Sequence, residues 1–161
     1  YDRANYGLRC GDASDTVLRN RALLRATLEL AAEPVWLQQV HGVDVHVVDA
    51  TTPAAIAQAP LADACVIRAP GYAAVIQTAD CLPILLASTA SDDIAAIHAG
   101  WRGLAGGVIE ATLAQMRGAE NVLGIANELP GSFADQMRTL GLGTRAYMSP
   151  EHCERGAALD G

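Results

Sequence analysis

The strongest constraint on the fold is a succession of short apolar, β-branched runs between residues 34 and 98, each cut off by proline, glycine or aspartate. Pro34 to Val40, Val43 to Val48, Ala64 to Ile67, Ala73 to Gln77, Ile84 to Leu86 and Ile94 to His98 are too short for ordinary helices and carry the residue types of strands. Helical periodicity brackets them. Upstream, Ser14 and Asp15 are good N-cap residues and Val17, Leu24, Leu28 and Ala31 recur at helical spacing, which predicts an amphipathic helix over Asp15 to Ala32. From Gly103 the period turns helical again, with Ala105, Ile109, Leu113 and Met116 on one stripe and Gly118 as the stop. A third helix is predicted around Phe133, Met137 and Leu140, then a strand at Thr144 to Tyr147. Strands bracketed by helices predict an α/β or α+β fold: a single compact layered sandwich domain over residues 1–161, with a mixed sheet flanked by helices. Thr52 to Pro60 is a connector too short to separate domains.

With 161 residues and 51% apolar content the chain can bury one real core. No apolar run approaches the roughly 20 residues of a membrane helix, and the start shows no signal-peptide pattern, so the expected location is cytoplasmic, with no membrane partner. Lysine is absent and 11 arginines face 18 acids, for a net charge of -7. That balance argues against nucleic acid or acidic lipid and for small molecules as partners. The cysteines (Cys10, Cys65, Cys81, Cys153) are unclustered, as expected of free thiols or ligands rather than a disulfide framework.

Three passages combine metal-type side chains with sharp turns: Gln38-Gln39-Val40-His41-Gly42, Thr78-Ala79-Asp80-Cys81-Leu82-Pro83, and Ile97-His98-Ala99-Gly100-Trp101-Arg102-Gly103. His98 closes an apolar strand and opens onto a glycine-rich turn; Cys81 precedes a proline that interrupts regular pairing; His41 precedes a glycine that permits a bend. Singly, each reads as a structural histidine or a small buried thiol. Together, two imidazoles and a thiolate suit zinc or copper, and three protein ligands leave a fourth position for water or substrate. The separations of 40 and 17 residues match no zinc-finger spacing, so tertiary structure must assemble such a site.

The stretches Pro34 to Gly42, Thr78 to Pro83 and His98 to Gly103 resemble the three signatures of the family long labelled multicopper polyphenol oxidase (laccase-like), whose members are now described as zinc-dependent purine nucleoside phosphorylases. The segment Tyr1 to Asp12, with Asn5-Tyr6-Gly7-Leu8 and Cys10-Gly11-Asp12, resembles the region before the family's first helix, so the likeness runs over roughly Tyr1 to Leu123. The resemblance implies His41, Cys81 and His98 as catalytic metal ligands, a compact α/β sandwich, purine nucleosides and phosphate as substrates, and adenosine deamination as a further capacity. It makes Asn5, Gln39 and Arg102 the substrate-binding candidates. No function is carried onto His152-Cys153.

A phosphorylase must also hold phosphate. Arg102 and the helix start after Gly103 offer an anion site, through guanidinium hydrogen bonds and unpaired N–H groups. Of the neighbours, His46 is expected at the surface, on the opposite strand face from His41. Asp80 either orients a ligand imidazole or caps a turn. Trp101 either stacks on a base or serves as a core or lid residue. Cys10 and Cys65 are expected as buried or half-buried thiols, and Met116 and Met137 as core. Copper-dependent phenol oxidation is the rival activity, since the same donors suit copper, but four histidines are too few for a four-copper arrangement. A purely structural metal clamp is disfavoured because closed structural sites use four protein ligands.

Overall fold

In the computed structural model, which describes residues 4–53 and 58–124, each apolar run between residues 34 and 98 contributes a strand. In chain order the elements are α1 (Ser14–Thr27), β1 (Val35–Trp36), β2 (Val45–Val48), β3 (Ala64–Ile67), β4 (Ala74–Val75), β5 (Leu82–Ser88), β6 (Ile94–Ala99), α2 (Trp101–Gly106), α3 (Val108–Gln115), a 3-10 turn at Ala119–Asn121 and β7 (Val122–Gly124). The helix and strand predicted between Phe133 and Tyr147, with Met137, His152 and Cys153, lie outside the described residues. Among the described residues five strands form a sheet in the order β2-β3-β6-β5-β7, and β1 pairs with β4 in a separate two-stranded sheet. β2 runs parallel to β3 and every other pairing in the larger sheet is antiparallel, so the sheet is mixed, as the sequence predicts. Among the described residues no helix is long and apolar enough to cross a membrane.

Alternation along the strands gives the sheet two apolar faces. Ala64, Val66, Ile84, Leu86, Ala95 and Ile97 pack with Val108 and Met116 on the α3 side. Val48, Cys65 and Ile67 face the other way, against Val35, Leu37 and Ala62. Full burial of one large aliphatic side chain contributes about 1.5–3 kcal/mol relative to exposure, so these two clusters dominate the folding energy. Burial pushes the Cys65 thiol up to about 12, so it packs as a small protonated hydrophobe in this second cluster.

Two helices differ from expectation. α1 ends at Thr27, short of Ala32, because the chain reverses at Glu29 (φ 51). It buries Val17 and Arg21, whereas Leu28 is exposed. The Arg21 guanidinium lies 3.8 Å from the centre of the Trp36 ring and donates to the Tyr6 carbonyl at 2.9 and 2.7 Å. A satisfied cation over an indole face thus occupies the stripe position where a leucine would be expected. The helix predicted from Gly103 is divided at Gly107, whose φ of 90 is left-handed backbone that glycine adopts without steric cost. The break rotates the stripe: Ala105 is exposed, while Val108, Thr112 and Met116 bury against the sheet.

The far end of the sheet is locked by Asp93. Its carboxylate accepts from the Arg117 side chain at 2.9 and 2.6 Å and from the Arg117 amide at 2.8 Å, tying the start of β6 to the chain leaving α3. Burial opposes ionisation of Asp93, yet these hydrogen bonds, with the charges of Arg117 and Arg68, outweigh it and hold the carboxyl below the ordinary aspartate range.

Candidate metal centre

The register of the central strands determines what meets at the opposite end. β5 and β6 pair with Leu82 opposite Ala99, so the next residue on each strand brings Cys81 alongside Gly100. β3 and β6 pair with Ala64 opposite Ile97, and one step further Asp63 faces His98: the His98 amide donates to the Asp63 carbonyl at 2.7 Å. The chain before β2 then wraps beneath Asp63, carrying His41. Among the described residues β7 pairs with Leu86, Ala87 and Ser88 and stops short of Pro83, a stretch of β5 where a missing amide is tolerated.

These placements bring the candidate donor atoms of His41, Cys81 and His98 within 4.8 Å of one another. The two imidazoles meet edge to face, with centroids 4.7 Å apart and planes at 76°. The Cys81 Sγ lies 3.6 Å from the His41 Nε2. His98 is buried, Cys81 half-buried and His41 exposed, so the cluster opens to solvent on the His41 side. Gly100 makes the closeness possible. A Cβ there would stand 2.8 Å from the His41 Cδ2 and 3.0 Å from the Cys81 Sγ, inside the space the two side chains use.

The electrostatics favour donors over charges. Burial, the neighbouring His98 ring and the Arg102 charge press the His41 imidazole towards its neutral form, against the pull of Asp63. Burial, with the nearby carboxylates of Asp80 and Asp63, raises the Cys81 thiol above its ordinary value. A cation at the cluster must therefore displace the Cys81 proton, which makes uptake pH-dependent.

Asp63 is the site residue that sequence reasoning missed. It is fully buried and its Oδ1 stands 2.8 Å from the His98 Nδ1. The amides of Val40, His41 and Gly42 all donate to the same carboxylate, at 3.1, 2.8 and 2.7 Å. Burial opposes its charge, but the hydrogen bonds from His98 and those three amides prevail and keep the carboxyl below its ordinary range. The available signal was an acid directly preceding a wholly apolar strand, where a buried charge demands partners. Asp80, one of whose expected roles was this one, is exposed; among the described residues the imidazole acceptor is Asp63.

The remaining candidates fall into place around the cluster. Arg102 is exposed, its guanidinium carbon 5.1 Å from the centre of the Trp101 ring, and its charge reaches His41. α2 already begins at Trp101, so Gly103 lies inside that helix rather than at its start, and of the anion site expected there the Arg102 side chain remains. Trp101 is 72% exposed, which removes it from the core. The Gln39 amide is engaged at both ends by the Gln77 backbone, donating at 2.7 Å and accepting at 2.8 Å, and so ties the His41 loop to the chain leading to Cys81. Asn5 is buried, and its side chain bonds with Gly7, Cys10 and Asp12. His46 is not part of the cluster found among the described residues and is half-buried rather than a surface residue, its enclosed Nε2 without a hydrogen-bond partner among them. It sits in register with buried Cys65 on β3, and burial lowers its proton affinity.

Residues 1–125 match the model of the family described as multi-copper polyphenol oxidoreductase laccase. The chain is 45% identical over 113 residues to the purine nucleoside phosphorylase YfiH of Shigella flexneri, an alignment covering 70% of this chain and 45% of that protein. It is 48% identical over 123 residues to a purine nucleoside phosphorylase of Xylella fastidiosa, covering 73% of this chain and 46% of the relative. A crystal structure of a Neisseria meningitidis protein superimposes with a TM-score of 0.64 at 38% identity, over 74% of this chain and 48% of that one. The chain thus spans about half the length of the curated relatives it matches.

Proposed function

The chain belongs to the multi-copper polyphenol oxidoreductase laccase family, and from that premise we propose that it is a zinc-dependent purine nucleoside phosphorylase, acting on adenosine, inosine and methylthioadenosine, with adenosine deamination as a second activity. The observation that carries the reading is the convergence of His41, Cys81 and His98 donor atoms within 4.8 Å beside a glycine that clears their space. Two imidazole nitrogens and a sulfur form a borderline-to-soft set that fits zinc, and three protein ligands leave room for an exchangeable one. Zinc held there supplies Lewis acidity towards a phosphate or nucleoside oxygen.

The chain's own residues provide the rest. Arg102, exposed and close enough for its charge to act on His41, presents a planar fork of donors that matches a phosphate. Trp101 follows Gly100 directly and offers an open indole face to a purine ring. Gln39 and Asn5, the other substrate-binding candidates, have amides engaged by Gln77 and Gly7, which fixes the loops that present them.

Copper at the same three donors is the second reading, favoured by the family description and by the affinity order of divalent metals. A multi-copper centre is not assembled by the described residues, among which His46 lies away from the cluster. Incubating the zinc-loaded chain with adenosine, inosine and methylthioadenosine, with and without phosphate, tests the proposal by product chromatography. The expected result is free base and sugar phosphate only when phosphate is present, and inosine from adenosine without it. Phenol oxidation by the copper form with no phosphate-dependent base release would transfer the assignment to the rival.

A further inference from the structure

We infer that Asp63 is the positioning residue of this site: one carboxylate selects the nitrogen that His98 presents to the cluster and, through the backbone, holds His41 in the conformation that brings its ring there. The inference rests on the metal-site reading and not on the identity of the nucleoside. Asp63 lies one residue before β3, wholly buried, and grips His98 twice, its carbonyl accepting from the His98 amide at 2.7 Å and its Oδ1 standing 2.8 Å from the ring Nδ1. An ionised carboxylate is an acceptor only, so that short contact requires the proton on Nδ1. The lone pair is thereby left on Nε2, the atom free to bind a cation.

The same carboxylate shapes the first ligand loop. Three successive amides, those of Val40, His41 and Gly42, converge on its two oxygens, an anion nest built from consecutive N–H groups. The convergence forces His41 to a φ of 63, left-handed backbone that a histidine adopts only when its surroundings over-determine it. Neutralising the carboxylate removes both the acceptor for the His98 ring and the reason for the His41 turn. Cys81, just before β5, makes no hydrogen bond to Asp63 among the described residues and is the candidate ligand this residue does not position.

Asp63→Asn tests the role, because it keeps the side chain's shape but replaces one acceptor oxygen by a donor. Two readouts are followed on the whole chain: zinc affinity by competition with a chromophoric chelator, and the His98 tautomer by nitrogen-15 NMR of the metal-free protein. The expected result is a zinc affinity about 10- to 100-fold weaker, the range of lost outer-shell partners. The Nδ1–H tautomer of the parent His98 should also be lost in the variant. Asp63→Glu, which keeps the acceptor but displaces the nest, should retain the Nδ1–H tautomer and still bind zinc more weakly. A parent chain that binds no zinc removes the site and this role with it. A parent that binds zinc while Asp63→Asn binds it equally well overturns the positioning role alone. If Asp63→Asn fails to fold, the parent still decides: His98 found predominantly as the Nε2–H tautomer refutes the inference.

Discussion

Gly100→Ala isolates the geometry of the metal centre from the stability of the fold. Gly100 has φ -71 and ψ 161, extended backbone open to any residue, so the methyl introduces no backbone strain. As the N-cap of α2 it makes no side-chain cap, and the slightly poorer capping by alanine is offset by the lower entropy of the unfolded variant; folding should move by less than about 1 kcal/mol. The new Cβ would stand 2.8 Å from the His41 Cδ2 and 3.0 Å from the Cys81 Sγ, against ordinary contacts of 3.4–4 Å. One ligand must therefore yield by about half an ångström, and misplaced ligands of this kind cost 10- to 100-fold in metal affinity, or about 1.4–2.7 kcal/mol. Chelator competition measures the affinity, and thermal unfolding in excess chelator confirms that the metal-free fold is intact. A folded Gly100→Ala chain that binds zinc within twofold of the parent would refute the claim that His41 and Cys81 ligate together.

Zinc content, about one equivalent per chain in the parent for a single three-ligand site, should fall close to zero in His41→Ala, Cys81→Ala and His98→Ala and persist in His46→Ala; elemental analysis decides, and a zinc-free His46→Ala chain would overturn the assignment. Arg102→Ala should retain the metal but raise the Michaelis constant for phosphate several-fold, through loss of a charge-assisted contact; an unchanged constant removes Arg102 from the anion site. Asp93, held below the ordinary aspartate range despite its burial, contributes stability that is complete above about pH 4–5 and is lost as pH falls through its lowered value. Asp93→Asn should lower the melting temperature at pH 7 and flatten its fall below pH 4, and a variant with the parent's acid limb would show that another carboxyl carries it.

The three residues that converge were legible in the sequence because each sits in a stretch where residue type and turn chemistry agree: a strand ending at His98 before Gly100, a proline after Cys81, a glycine after His41. Strand positions were legible for the same reason, since alternation and breakers are local signals. Asp63 was not, because an acid before an apolar run reads equally as a loop residue until its four donors are known, and these come from chain segments more than twenty residues away. The bond between Gln39 and Gln77 was not legible for a related reason: the Gln39 amide stands in for a strand partner of Gln77, a role with no local signature. The break at Gly107 was written in the adjacent glycines Gly106 and Gly107, but the apolar stripe continued through them, and only packing of Val108 on the sheet decides which signal prevails.

What the local signals leave out is register, and in this chain register is what makes the site. Asp63 meets His98 because Ala64 pairs with Ile97, and Cys81 meets Gly100 because Leu82 pairs with Ala99. A slip of one residue in either pairing would turn every side chain of a strand to the other face. Val66 and Ile97 would then leave the α3 core, so the apolar pattern that folds the sheet also enforces the alignment of the candidate ligands. The site thus inherits its precision from the core. Substitutions in β3 or β6 that preserve apolar volume should leave metal affinity intact, whereas a single inserted residue between Asp63 and Ile67 should abolish it by moving the carboxylate away from His98, even in a chain that still forms the sheet.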